Sequence, residues 1–146
     1  MKVEMAVGLK IPDTTARTAL QTMRKLGHKV EALKRYDYYM FDVDGSKKGF
    51  KQAVSDVDVL VNANKNFVRF LDEKRLRKGE TGIIVQDDAE PEALLHTLRE
   101  RLGLDMIKHL EKGTLWVMDS KGVKIKNLIY ELLANPHYQQ VKILRE

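Results

Sequence analysis

Cysteine is absent from this 146-residue chain, which removes disulfides, thiolate zinc ligands and cysteine nucleophiles together. That fits an intracellular setting. No stretch comes near the roughly 18 consecutive apolar residues of a membrane helix, and Met1-Lys2-Val3-Glu4 does not open a secretory signal. A cytoplasmic protein without a membrane partner is expected. Phosphate-cradling loops of the GxxxxGK[ST] or GxGxxG form do not occur; Gly45-Ser46-Lys47-Lys48-Gly49 is basic and glycine-flanked but reads as a surface turn. His28, His96, His109 and His137 share no HxH or HExxH spacing, so no metal site is expected. Turn and cap roles account for the paired carboxylates Asp87-Asp88 and Asp42-x-Asp44. Ser46, Ser55 and Ser120 lack a nucleophile-elbow context. The sequence thus assigns no catalytic residue and no cofactor.

What the chain has is a hydrophobic fraction of 43% beside 32% charged residues, the balance of a soluble globular protein. The net charge is +5, unevenly placed: +4 over residues 1–72 and +1 over residues 73–146. Its densest basic run, Lys74-Arg75-Leu76-Arg77-Lys78, reads as a solvated connector. Polyanion binding stays open on charge alone.

The chain also says nearly the same thing twice. Val30 to Asp42 is mirrored by Ile107 to Asp119, an offset of 77 residues. Matching helix ends precede the two stretches, Thr22-Met23-Arg24-Lys25-Leu26-Gly27 and Leu98-Arg99-Glu100-Arg101-Leu102-Gly103. Matching turns and short apolar strands close them: Asn62-Ala63-Asn64 before Val68-Arg69-Phe70-Leu71, and Asn135-Pro136-His137 before Val141-Lys142-Ile143-Leu144. We read a tandem duplication.

Within each copy the periodicity is explicit. Residues 3–9 and Thr81 to Gln86 form opening strands. Asp13 is a plausible N-cap for a helix carrying Ala16, Ala19, Leu20, Met23 and Leu26, which Gly27 ends. Asp88 can cap the corresponding helix, with Leu94, Leu95, Leu98 and Leu102 as its stripe and Gly103 as its stop. Leu33, Tyr39, Phe41 and Val43 share one face of a long strand, and Tyr38 and Met40 the other. In the second copy Leu110, Trp116 and Met118 oppose Leu115 and Val117. Strands apolar on both faces need cover on both. Helices are expected to cover one face, and the partner copy or another chain the other.

Tyr39, Phe41, Trp116 and Met118 are the candidate sheet-interface residues. Tyr36, Tyr38, Tyr39 and Phe41 beside Lys34 and Arg35 could imitate an RNA-stacking sheet, but alternation favours packing. A second helix follows in each copy. In the later one it carries Ile125, Leu128, Ile129, Leu132 and Leu133 and stops at Asn135-Pro136. In the earlier one Phe50, Ala53, Val54, Val57, Leu60 and Val61 have helical spacing, while residues 55–61 also alternate like a strand. Each copy reads β-α-β-α-β, and a unit of about 65–70 residues buries little core alone.

This order, with Val3-Glu4, Leu9-Lys10, Ala19-Leu20, Leu26-Gly27 and above all Leu132-Leu133-Ala134-Asn135-Pro136 followed by Val141-Lys142-Ile143, resembles the PurS family. PurS is the small subunit of phosphoribosylformylglycinamidine synthase. Unit 1 would span residues 1–72 and unit 2 residues 80–146, joined by the basic connector 73–79. The chain departs from the family in length, which is about double. It also has Lys10-Ile11-Pro12-Asp13-Thr14 and Gln86-Asp87-Asp88-Ala89-Glu90-Pro91 where the family has a glycine- and proline-rich loop.

The resemblance implies an α+β fold of two fused units, antiparallel sheets with helices on one face, and an internal pseudo-dimer. It implies a non-catalytic subunit that bridges the glutaminase and synthetase subunits in purine biosynthesis, and a dimer of two-unit chains. Asn135 and Pro136 are the candidate partner-contact loop. Two other readings stay open: a nucleic-acid-binding module, and a small-molecule regulatory domain of paired βαβ type.

Overall fold

The computed structural model describes residues 1–72, 76–77, 79–120 and 139–145. The class is α+β. Strands β1 (Lys2–Leu9), β2 (Val30–Val43), β3 (Asn66–Phe70), β4 (Glu80–Asp87), β5 (Ile107–Ser120) and β6 (Gln139–Arg145) form one antiparallel sheet in the order β3-β1-β2-β5-β4-β6. Helices α1 (Thr14–Lys25), α2 (Lys47–Ser55) and α3 (Glu92–His96) supply apolar side chains to one face of it. The strand order is palindromic about the β2–β5 pair, which runs from Val43↔Ile107 to Val30↔Ser120 with a register shift near each end. On each side the short late strand lies outermost and pairs with the opening strand, Leu9↔Asn66 in one half and Asp87↔Gln139 in the other.

The local chemistry explains the elements. Asp13 accepts from the Thr15 and Ala16 amides at 3.0 and 3.1 Å, the N-cap its position suggests. At the other end Gly27 takes φ +89°, and the His28 and Gly27 amides return to the Met23 and Arg24 carbonyls. That closure needs a left-handed residue, which glycine adopts without a Cβ clash. Asp88, in contrast, caps nothing. The third helix starts only at Glu92, beyond the reach of the Asp88 carboxyl, and is preceded by Pro91, which has no side-chain acceptor. This helix widens into a π turn at Thr97–Arg101, with Leu102 donating to the Thr97 carbonyl. The extra residue in that turn breaks the four-residue stripe: Leu98 is fully buried, while Leu102 is 47% exposed.

α2 ends at Ser55 and residues 56–61 form tight turns, with Val57 bonded back to Val54 and Val61 to Val57. The turns preserve the helical spacing that buries Val57, Leu60 and Val61 without extending the helix. The later helix expected over Ile125 to Leu133 and the Asn135-Pro136 turn lie outside the described residues.

Among the described residues three apolar clusters form, and each draws on both halves of the chain. The first joins Val3, Met5, Tyr39, Phe41, Phe50 and Val54 to Leu98, Ile107 and Leu110. The second joins Ala16, Met23, Val30 and Leu33 to Ile83, Val85, Trp116 and Met118. Thus α1 from the first half reaches strands of the second, and the π turn after α3 reaches strands of the first. The third cluster, Ala6, Tyr36, Tyr38, Met40, Ile84, Leu115 and Val117, occupies the opposite face of the sheet. Leu71 and Leu76, between β3 and β4, and Leu144 on β6 pack against it. The chain itself therefore contributes cover to the second face, which the alternation alone had left to the partner copy or another chain.

Candidate anion cleft

The sheet forks at one end. β1 pairs with β2 only as far as Val7↔Asp37, whereas β2 continues beside β5 to Val30. Beyond the fork, Arg24 on α1 takes the Val30 and Glu31 carbonyls at 3.1 and 2.9 Å. Leu9 and Ile11 lead away into α1, β3 runs alongside, and a cleft of about 870 Å³ opens between them. Its walls include Leu9, Leu20, Leu33 and Val68, with Ile11 exposed at 62%.

Four cations line the cleft: Arg17, Lys34, Arg35 and Arg69. The lining supplies one carboxylate, Asp13, which pairs with Arg35 at 2.9 Å. Arg69 donates from Nη1 to the Tyr36 hydroxyl at 3.0 Å, and its guanidinium stands 5.8 Å from that ring. Among the described residues Arg17 and Lys34 have no carboxylate within ion-pair distance.

Tyr36 and Phe67 meet edge to face at 6.0 Å, with 86° between their planes. Both rings cross Gly8: a Cβ there would sit 2.5 Å from Phe67 Cζ and 2.9 Å from Tyr36 Cδ1. Glycine is what lets both rings come this close to the strand.

The matching place in the other half carries the opposite charge. β4 leaves β5 after Gln86↔Gly113, and the space beyond is about 210 Å³, lined by Asp87, Asp88, Glu90 and Glu111. Gln86 donates to Glu111 at 2.8 Å, and the Glu90 carboxylate accepts from the Leu110 amide at 3.4 Å. By strand register Gln86 stands where Gly8 does and Gln140 where Phe67 does. Gly113 takes the place of Tyr36 in the repeat. The aromatic pair has no counterpart there.

The four candidate interface residues all lie on the helix-covered face. Tyr39 and Phe41 stack at 6.2 Å, and Phe41 meets Phe50 of α2 at 5.1 Å. Trp116 and Met118 share a cluster with Met23 of α1. Burial, with Asp37 nearby, pushes the Tyr39 phenol up to about 12. Burial also drives Tyr38, on the other face, well above the ordinary tyrosine range, helped by Glu4, whose carboxylate accepts the Tyr38 hydroxyl at 2.7 Å. Asn135 and Pro136 lie outside the described residues.

Sequence reasoning noted Lys34 and Arg35 beside the tyrosines, but passed over Arg17, Phe67, Arg69 and Gly8. The signal available was alternation: Lys34 with Tyr36 and Phe67 with Arg69 each occupy one face of their strands. What joins these pairs is the β1–β3 register, which the sequence does not display. Among the described residues no group of three His, Asp or Glu side chains is placed to hold a metal ion, and no helix is long and apolar enough to cross a membrane. Compared with known proteins, the chain matches no family model and no curated sequence.

Proposed function

We propose that this chain is a tandem pair of PurS-like units forming an internal pseudo-dimer, and that it serves as a non-catalytic assembly subunit of phosphoribosylformylglycinamidine synthase. In this reading units 1–72 and 80–146 replace two separate subunits. The chain bridges the glutaminase to the synthetase in the cytoplasm, and two chains associate. One observation supports the reading most: the strand order β3-β1-β2-β5-β4-β6 repeats one three-strand arrangement on either side of the central β2–β5 pair. The apolar clusters shared across that pair add to it, since a shared core is what fusion of two partner units would leave.

The test is purification of the tagged chain from its native cell, with mass spectrometry of the co-eluting proteins. Joint recovery of a glutaminase and an ATP-dependent amidine-forming synthetase is expected. Recovery of neither, from cells in which both are made, overturns the proposal.

A further inference from the structure

We propose that the cleft between β1, β2, β3 and α1 binds a small organic phosphate whose planar ring lies against Phe67. The inference stands apart from the assembly role, because it concerns one half of the chain only.

Charge carries the argument. Arg17, Lys34, Arg35 and Arg69 line one cavity, where Asp13 pairs with Arg35 and Arg69 bonds the Tyr36 hydroxyl. Among the described residues that leaves Arg17 and Lys34 without a carboxylate, and like charges at one cavity repel unless an anion joins them. The fold does not impose this sign, because the matching space in the second half gathers Asp87, Asp88, Glu90 and Glu111 instead. Guanidinium and ammonium groups are the ordinary partners of a phosphate.

Shape selects the rest of the ligand. About 870 Å³ lies within the range of small-molecule sites, roughly 300–1,000 Å³, and far exceeds what a bare phosphate fills. The walls are apolar at Leu9, Leu33 and Val68. Phe67 is 36% exposed and braced edge-on by Tyr36, a platform against which a flat ring can stack. Asp13 sits in the lining and pairs with Arg35, which breaks the basic surface there and favours a mononucleotide-sized anion over a polynucleotide.

Calorimetric titration of the full chain with inorganic phosphate, ribose 5-phosphate and a nucleoside 5′-monophosphate tests this. The nucleotide is expected to bind most tightly. Arg17→Ala and Lys34→Ala should each weaken all three probes that bind by about tenfold. Phe67→Ala should weaken the nucleotide alone, by about fivefold or more. Asp87→Asn in the acidic space should change none of them. Arg17 and Lys34 are exposed, and thermal melts of each variant check that folding is retained. Absence of saturable binding by any probe overturns the proposal, as does binding that these cleft substitutions leave intact. Tighter, steeply salt-dependent binding of a single-stranded oligonucleotide would make the cleft a polyanion surface and also overturn it. Loss of self-association in Arg17→Glu, without ligand binding in the parent, would make it a contact between chains, with the same consequence.

Discussion

Asp13 shows how much one side chain can hold in place. Its Oδ1 accepts two amides of the first turn of α1, and its Oδ2 takes the Arg35 guanidinium on β2. Replacing it with alanine removes the cap and leaves Arg35 without this partner. The expected cost is about 1–2 kcal/mol of unfolding free energy, read from urea denaturation.

The two tyrosines on opposite faces of β2 make a second prediction. Tyr39 keeps its proton up to about pH 12 in the folded protein, and Tyr38 to higher pH still. An unfolded chain releases those protons near pH 10. Above that pH the unfolded state binds fewer protons, so stability is level below pH 10 and falls as pH rises beyond it. Each tyrosine contributes about 1.4 kcal/mol per pH unit to that fall. Denaturation from pH 8 to 12 reads the slope, and Tyr39→Phe should reduce it by one proton's worth.

At the scale of elements, Gly113 stands where β4 leaves β5. A Cβ at Gly113 would meet the Val85 carbonyl oxygen and lie 2.9 Å from Gln86 Cα. Those neighbours are backbone and cannot swing away, so Gly113→Ala must push two strands apart. The expected loss is about 3 kcal/mol, at the upper end for overpacking. Faster amide exchange at Val85 and Gln86 than at the far end of the strands would locate it. The helices are held by few anchors. α1 buries Ala16 and Met23, and Met23 meets a cluster containing Trp116 and Met118. Met23→Ala should therefore cost about 2–5 kcal/mol and alter Trp116 fluorescence, although the two residues belong to different halves.

The sharing of apolar clusters between the halves governs the whole molecule. Among the described residues each apolar cluster combines residues of the first half with residues of the second, so the two halves depend on shared packing. Unfolding should be one cooperative event. Trp116 is the chain's single tryptophan and reports on the second half. Its fluorescence should lose native character at the same denaturant concentration at which amides of β1 and β2 lose protection. Separate midpoints would show two independently stable halves.

The sequence by itself determined what depends on neighbours along the chain. Alternation placed β1, β2, β4 and β5, and Asp13 and Gly27 set the ends of α1. Those features follow from backbone sterics and hydrogen bonding within a few residues, which the sequence shows directly. The failures had a longer reach. Asp88 resembled a cap, but the helix began too far on, and Leu102 left its stripe because a π turn intervened. Only the tertiary structure decided which face each helix covers and that the halves share their apolar clusters. It alone brought Arg17, Lys34, Phe67 and Arg69 to one cleft. Strand register settles such meetings, and register arises from packing across the sheet, between residues far apart in the chain.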